Sequence, residues 1–324
     1  MQEMITDVLL ITAFAVGVGA LSSMIGIGGG IINTPLLIIV FGLTTDMAPS
    51  SSLVAAMFVA ISSSWAYYRQ TPKSTVYAAG VFLAITTIPG SWVGGWLRAT
   101  IFNVYGDDVL RWVFAILLFP IAMRMLFAKR KGFSDWTAEL AAYDFSETSR
   151  TTLILALVGA FGGGIVANLL GLGGGVIIVP ILSILLGLPM HAAVATSMFT
   201  MIFTTGAGTV QNALNGSIDV YYSLALGIGM VVGAQFGPRL AVRVNAVRLK
   251  QIFGLVLVYP LVRMVRAGQM LLDPSGTDFV LATLGDVLVW LLVVIPIALI
   301  KVYQNRSEEL NESQKEPDES LSDS

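Results

Sequence analysis

The amino-acid sequence predicts an all-α polytopic membrane protein with about eleven transmembrane segments, arranged as two five-span repeats of inverted topology plus a C-terminal span. Composition, the spacing of apolar runs and an internal repeat predict this fold class. Of the 324 residues, 56% are hydrophobic and 12% are charged, and the mean hydropathy is +0.81. Soluble domains are roughly 25% charged, so this composition indicates a chain solvated by lipid and excludes an ordinary soluble enzyme.

The charged and reactive residues exclude further classes of function. A net charge of −2 without a basic stripe argues against a nucleic-acid partner. The chain has no Cys and one His, His191, which excludes thiol catalysis, disulfides and metal sites built from His and Cys. We therefore predict no enzymatic activity, no catalytic residue, no metal site and no cofactor. Residues 1–7 lack Lys and Arg, so the first apolar run is expected to be a retained span and not a cleaved signal peptide.

The spans follow from apolar runs bounded by charge, Pro or Gly, given that about 20 residues cross a bilayer. They are residues 7–25, 31–43, 48–68, 76–98, 109–128, 151–170, 176–188, 191–212, 218–238, 248–266 and 278–301. Two of them, 31–43 and 176–188, would reach only about 20 Å as helices, short of the roughly 30 Å hydrocarbon core. Charged residues within the predicted spans lie within five residues of a span end, except Asp286 in span 278–301.

The distribution of positive charge predicts the orientation. If all eleven segments cross, only Arg98, Arg111, Arg263 and Arg266 of the 18 Lys and Arg residues lie on one side. The positive-inside rule then places the N-terminus outside and the C-terminus in the cytoplasm. If the two short segments do not cross, the same residues divide nine to nine and the asymmetry is lost.

The spans and polar stretches divide the chain into five regions. They are the first repeat (1–128), a cytoplasmic connector (129–150), the second repeat (151–266), an extra span (278–301) and an acidic, disordered cytoplasmic tail (302–324).

The two repeats are related by an offset of 145 residues. The pattern G-x-G-G-G-x-I-x-x-P-x-L begins at Gly26 and again at Gly171. Because five spans is an odd number, the second repeat enters the membrane from the opposite side, as in many secondary transporters.

The paired glycine runs are the predicted substrate site. Each precedes a short segment and must lie at some depth in the membrane, where non-helical backbone is tolerated only if it is buried or lines a cavity. Unpaired N–H groups and the helix dipole at such a point bind anions without Lys or Arg. The candidate substrate-binding residues are Gly28, Gly29, Gly30, Asn33, Ser51, Ser52, Gly173, Gly174, Gly175, Thr196 and Ser197, with Asn168, Gln211 and Asn212 as weaker candidates. The alternatives are close helix packing for the glycines and hydrogen bonds within the same helix for the hydroxyls.

Asp46 and His191 occupy equivalent positions at the same offset, each just before a span. Both could titrate beside a transport path and couple it to protons. The alternatives are that Asp46 caps the following helix and that His191 is an interfacial residue.

The motifs Gly26–Pro35 and Gly171–Pro180 resemble those of the TauE/SafE sulfite exporter family, also called the toluene sulfonate uptake permease family. The resemblance covers about residues 7–266. It implies a multi-pass transporter in the plasma (inner) membrane of a prokaryote that moves sulfite or a related organosulfonate, with proton linkage. The expected function is therefore secondary transport of a small sulfur oxyanion by alternating access. The alternative is a passive small-anion channel of the same fold. The expected partners are the anionic substrate and the lipid bilayer. Whether the protein forms a homo-oligomer is left open.

Overall fold

The structure, a computed structural model, describes residues 2–39, 41–44, 46–104 and 136–244, with shorter stretches within 119–127, 248–272 and 281–299. These residues form helices and loops without a β-strand, as predicted for an all-α protein. Most of the predicted spans 109–128 and 248–266, part of span 278–301, the start of the connector and the whole tail 302–324 lie outside the described residues.

The chain divides into two compact units, residues 1–110 with 123–254 and residues 111–122 with 255–324. The helices of the first unit are α1 (Gln2–Ile25), α2 (Gly30–Ile39), α3 (Met47–Tyr68), α4 (Tyr77–Val104), α5 (Trp136–Ala141), α6 (Arg150–Leu170), α7 (Gly175–Pro180), α8 (Met190–Leu214), α9 (Val220–Ala234) and α10 (Gly237–Ala241). A 3₁₀ turn spans Phe145–Glu147, and α7 continues as a π-helical turn, Ile181–Leu185. The second unit contains α11 (Ala267–Leu272) and α12 (Leu284–Pro296), and Val258, Val262 and Val294 pack together within it.

Four helices of the described chain are long and apolar enough to cross a membrane: Met47–Tyr68, Tyr77–Thr100, Arg150–Leu170 and Met190–Leu214. Shorter apolar helices are Leu10–Ile25, Gly175–Leu185, Val220–Ala234 and Leu284–Pro296. Large apolar side chains lie on the outside, with Val158 66% exposed and Ile85 63% exposed, whereas Ser52, Asn168 and Asn212 are fully buried. This arrangement, apolar outside and polar inside, fits a protein surrounded by lipid.

Local signals explain several helix ends. The Ser149 hydroxyl accepts a hydrogen bond from Thr152 N–H at the start of α6, and Asp219 accepts one from Tyr222 N–H at the start of α9. Helix α6 ends at Gly171, whose φ of 68° is left-handed and favours glycine.

Helices of one half pack mainly against helices of the other half. Thr12 on α1 donates a hydrogen bond to the Ala225 carbonyl of α9, and Gly19 lies against Met230, so α1 and α9 run in the same direction. Helices α4 and α6 form the equivalent parallel pair.

Helices α3 and α8 lie between these pairs and run in opposite directions. Near the start of α3, Leu53 contacts Gly208, which lies toward the end of α8. At the other end of α3, Tyr67 donates a hydrogen bond to the Ser23 carbonyl, close to Gly26, which contacts Val194 near the start of α8. The central pair thus brings the glycine segments of both halves together.

Candidate functional site

Two glycine loops form the centre of the first unit. Loop 26–29 joins α1 to α2, loop 171–174 joins α6 to α7, and every residue of both loops is buried. Gly28 and Gly173 have φ values of 87° and 78°, in the left-handed region that other residues rarely adopt. The prediction of buried, non-helical glycine segments before two short helices is therefore confirmed.

The two loops pack directly against each other's backbone. A Cβ atom on Gly30 would collide with the Gly171 carbonyl oxygen, and a Cβ on Gly175 would collide with the Gly26 carbonyl oxygen. These contacts are equivalent at the offset of 145, so they obey the symmetry of the repeat. For Gly30 and Gly175, close packing is a sufficient reason for glycine.

Ser52 and Ser197 each bind the loop of the other half. Ser52 Oγ donates a hydrogen bond to the Gly171 carbonyl over 3.1 Å, and Ser197 Oγ donates one to the Gly26 carbonyl over 3.2 Å. Both side chains are fully buried. They hold each loop to the central helix of the opposite half.

Ser51 and Thr196 have a different, equally symmetric role. Their hydroxyls accept hydrogen bonds of 2.9 Å from the backbone N–H groups of Asp219 and Val76, which precede α9 and α4. These two predicted site residues therefore bind the backbone just before α9 and α4, and they do not bind the glycine loops.

Several backbone donors of the loops have no partner. Ile27 N–H and Leu172 N–H donate to the carbonyls of Ser22 and Ala167. Among the residues that the structure describes, the N–H groups of 28–30 and 173–175 donate to no other residue. Four of these buried donors lie in the two loops, and the other two belong to Gly30 and Gly175 at the starts of α2 and α7. Such groups bind anions by their backbone.

Asn33, on the first turns of α2, contributes an unpaired acceptor to the same region. It is fully buried, and its Nδ2 lies 3.0 Å from Met230 Sδ. Its Oδ1 has no partner among the described residues. The equivalent residue of the second repeat is Ile178, so this polar side chain is present in one half alone.

The side chain of Met201 lies between the loops. A Cβ on Gly28 or on Gly173 would contact its terminal methyl group. The equivalent residue in the first repeat is Ala56, whose Cβ lies 3.6 Å and 3.3 Å from those positions. One flexible side chain therefore fills the space in front of both loops.

A buried arginine is the main feature that sequence reasoning missed. Arg98 on α4 is 1% exposed, and its Nη1 and Nη2 donate hydrogen bonds to Asn168 O at 3.1 Å and Asn212 Oδ1 at 2.8 Å. Arg98 is the last residue of the predicted span 76–98, but α4 continues to Val104, so Arg98 does not lie at the end of its helix. The local sequence does not indicate that Arg98 is buried, because its partners are distant in sequence.

The three weaker candidates belong to the network around this arginine. Asn168 Nδ2 donates to Ser91 O at 2.9 Å and to Gln211 Oε1 at 2.8 Å. Asn212 Nδ2 donates to Asn168 Oδ1 at 2.9 Å. The three amide side chains therefore hold one another in place around Arg98.

Asp46 pairs with Arg98 and does not cap its helix. It occupies the N-cap position of α3, but its side chain makes no capping hydrogen bond. Instead its Oδ1 lies 3.0 Å from Arg98 Nε, with the Asp46 side chain 50% exposed. The capping interpretation is wrong because a buried guanidinium attracts the carboxylate more strongly than a helix N-terminus does.

His191 is buried beneath the connector. It is 2% exposed, its Nε2 lies 2.9 Å from the Val244 carbonyl oxygen, and its ring packs on Trp136 of α5 with the ring centroids 4.8 Å apart and the planes tilted by 30°. Its position at a membrane interface stays a prediction.

Comparison with known proteins identifies the family. The profile of the sulfite exporter TauE/SafE family matches residues 10–264, which include both glycine loops. The chain belongs to the TauE/SafE family. Among its relatives, the probable membrane transporter protein YunE of Bacillus subtilis is 32% identical over 70% of this chain and 84% of its own length.

Two further relatives have names of the same kind. A probable membrane transporter protein of Xylella fastidiosa is 28% identical over 74% of this chain and 88% of its own length. MJ0441 of Methanocaldococcus jannaschii, also a probable membrane transporter protein, is 23% identical over 75% and 87%. No solved structure matches the chain significantly. These names support a membrane transporter for this TauE/SafE member.

Proposed function

We propose that this protein is a secondary transporter that moves a small sulfur oxyanion, such as sulfite or an organosulfonate, by alternating access. The observation that carries the proposal is the pair of buried glycine loops and the helix starts that follow them, where six backbone N–H groups have no acceptor among the described residues. Such donors bind a small anion closely and, unlike lysines, do not hold it too tightly to release it. The family name adds the sulfur oxyanion as the substrate class.

The symmetry of the contacts supports an inverted pair of five-span repeats. Helices α1 and α9 are parallel, as are α4 and α6, whereas the central helices α3 and α8 are antiparallel. Two halves of opposite direction around a common site can exchange conformations and expose that site to either side. Loop 26–29 and loop 171–174 would then bind the anion in turn.

Side chains from both halves are proposed to complete the site. Asn33 offers its Nδ2 amide group, which has two N–H donors and contacts Met230 Sδ with one of them. Ser52 and Ser197 lie within reach of the loops they hold. Met201 must withdraw for an anion to reach both Gly28 and Gly173, because its methyl group occupies that space. Proton linkage is assigned to Asp46 and not to His191, since Asp46 is half-exposed and His191 is sealed under Trp136.

Uptake of labelled sulfite into proteoliposomes tests the proposal. We expect accumulation above equilibrium when a pH gradient is imposed, and its collapse when the gradient is dissipated. Flux that never exceeds equilibrium would instead establish a passive anion channel. Absence of flux in folded protein, for sulfite and for methanesulfonate, would refute the substrate class.

The role of the loops is tested by replacing Gly29 or Gly174 with Val. Both residues have positive φ, at 79° and 89°, so a side chain both strains the loop and covers its donors. We expect transport to be lost while membrane insertion is retained. Unchanged flux would remove the loops from the substrate path.

Asn33 offers a gentler probe, because Ile is tolerated at the equivalent position 178. Asn33→Ile should keep the fold and raise the KM for the anion about tenfold, the cost of one hydrogen bond to a charged ligand. Ile178→Val is the matched control and should leave the KM unchanged.

The absence of cysteine allows a direct test of orientation. We propose that the protein lies in a prokaryotic plasma membrane with its N-terminus outside. Glu139→Cys in the connector should then react with an impermeant thiol reagent only after the cells are opened. Asn215→Cys, in an exposed loop that follows α8, should react in intact cells. The reverse pattern would invert the topology.

A further inference from the structure

The Arg98–Asp46 pair carries an inference beyond the glycine loops. Arg98 Nη1 and Nη2 donate to the neutral oxygens of Asn168 and Asn212, so two of the five guanidinium N–H donors are paired and the positive charge is not balanced. Among the described residues, Asp46 supplies the one opposite charge in contact with it. An isolated buried charge is costly, so the site requires an anionic group beside Arg98.

Asp46 fulfils that requirement imperfectly. Its Oδ1 lies 3.0 Å from Arg98 Nε, yet the Nε–H makes no well-directed hydrogen bond to any described residue. The guanidinium side chain is 2% exposed, whereas the carboxylate side chain is 50% exposed. Water and solutes therefore reach the anionic partner from solution while the cation stays fixed by Asn168 and Asn212.

The pair exists in one half of the molecule alone. At the offset of 143 that relates Gly90 to Gly233, the counterpart of Arg98 is Ala241. The counterpart of Asp46 is His191, which contacts the Val244 carbonyl and Trp136. Close packing of the repeats does not need the pair, because the equivalent end folds without one.

We propose that Arg98 is a second binding site for small oxyanions, at the end of the core where α3 begins, and that the Asp46 carboxylate occupies it when no anion is bound. An incoming sulfonate or sulfite offers the same planar guanidinium two or three oxygens. Asp46 leaves Arg98 most readily when its carboxylate takes a proton from the solution on that side. Binding of one anion is thus coupled to uptake of one proton.

Other charged groups near this end do not replace Asp46. Asp219 approaches α3 through its backbone N–H, which donates to Ser51, while its carboxylate accepts from Tyr222 N–H at the start of α9. It therefore provides a control for loss of a carboxylate at the same end. The proposal rests on the proposed anion transport for its physiological meaning, but the site itself is testable by binding alone.

The test measures thermal unfolding of the purified full-length protein in detergent, with methanesulfonate as the probe. This anion stays singly charged between pH 5 and 9, and sodium gluconate keeps the ionic strength constant. Asp46→Ala should lower the melting temperature, and methanesulfonate or formate should restore it by about 5–10 °C at roughly 100 times its Kd. Neutral formamide should not restore it.

Two variants isolate Arg98. Asp46→Ala combined with Arg98→Leu should be stabilised by methanesulfonate no more than the wild type is, because only the glycine loops then bind the anion. Asp219→Ala should likewise respond no more than the wild type does. In the wild type, acidification should lower the methanesulfonate Kd, whereas the Kd of Asp46→Ala should not depend on pH.

The outcomes decide the proposal. If methanesulfonate stabilises Asp46→Ala and the double variant equally, or stabilises neither, Arg98 is not an anion site and the pair is a structural link. If Asp46→Ala folds poorly, adding methanesulfonate during purification should raise its yield; a yield that improves only in the double variant would also overturn the proposal. Failure of sulfite flux in proteoliposomes, with Arg98-dependent stabilisation intact, would refute the transported substrate and not this site.

Discussion

The two ends of the repeated core share a backbone design but differ in charge. At one end, which we call the Arg98 end, Asp46, Arg98, Asn168 and Asn212 form a charged network. At the other, the His191 end, Tyr67 O–H donates one hydrogen bond of 2.9 Å to the Ser23 carbonyl, and His191 contacts Val244. Tyr67 and Ser23 are the counterparts of Asn212 and Asn168 at the offset of 145.

The difference separates what duplication must keep from what it can change. The bonds from Ser52 and Ser197 to the opposite loops, and the Gly30 and Gly175 contacts, are the same at both ends because they set the backbone. Side chains at the ends do not set the backbone, so they can differ. We infer that the two ends meet the substrate with different electrostatics.

The largest effect is expected where the backbones touch. Gly30→Ala and Gly175→Ala each place a Cβ against a carbonyl oxygen of the opposite loop, so each should cost about 4 kcal/mol or more and prevent recovery of folded protein. Gly17→Ala and Gly162→Ala, another equivalent pair, have open space at the Cβ position and should be neutral or stabilising by up to about 1 kcal/mol. Size-exclusion profiles in detergent measure both. If Gly30→Ala folded and Gly175→Ala did not, the two backbone contacts between the loops would not be equivalent.

The next effect compares the two ends directly. Asn212→Leu removes the acceptor of Arg98 Nη2 and the donor to Asn168, at a cost of about 3–5 kcal/mol. Tyr67→Phe removes one hydrogen bond, at a cost of about 1–2 kcal/mol. Thermal unfolding of the two variants measures the difference. Equal losses would mean that the charge at the Arg98 end adds nothing to stability.

A smaller effect is expected from the symmetric serines. Ser52→Ala and Ser197→Ala each remove one hydrogen bond to a loop carbonyl and should each cost about 1 kcal/mol. Similar melting temperatures and similar increases in the transport KM would show that each repeat contributes its serine equally to the substrate site. A KM increase confined to one serine would show that the loops bind the anion unequally.

The smallest effect is expected at His191. His191→Gln should change the transport rate by about twofold or less and leave its pH dependence intact, whereas Asp46→Asn should abolish the pH dependence. Uptake measured between pH 5.5 and 8 tests both variants. A flat profile for His191→Gln would move the proton linkage to the His191 end.

The sequence predicted the features that depend on spacing. The offset of 145, the glycine loops and the order of helices α1–α4 and α6–α9 follow from local patterns, and the structure confirms that these segments form helices and buried loops. In a chain of this composition, a glycine run before a short apolar segment can adopt few structures other than a buried loop before a short helix. This part of the prediction therefore needed no tertiary information.

The roles of individual polar residues depended on partners far away in sequence. Asp46 and Arg98 look like a helix cap and a loop residue until α4 is seen to continue past Arg98. Ser51 and Thr196 were predicted to bind the substrate, but their hydroxyl oxygens accept hydrogen bonds from the backbone at the starts of α9 and α4. No periodicity in a single sequence identifies such pairs, because each is fixed by the packing of one half on the other.

That exchange of packing between halves has a consequence for synthesis. Helix α1 ends at Ile25, and its principal partner α9 begins only at Val220, so the ribosome must add almost 200 residues before the pair can form. At about 5–20 residues per second this takes roughly 10–40 s. During that interval the first half lies in the membrane without its partners, and its buried serines and glycines face lipid or the insertion machinery. Separately expressed halves should therefore be unstable alone and recover function when they are produced together.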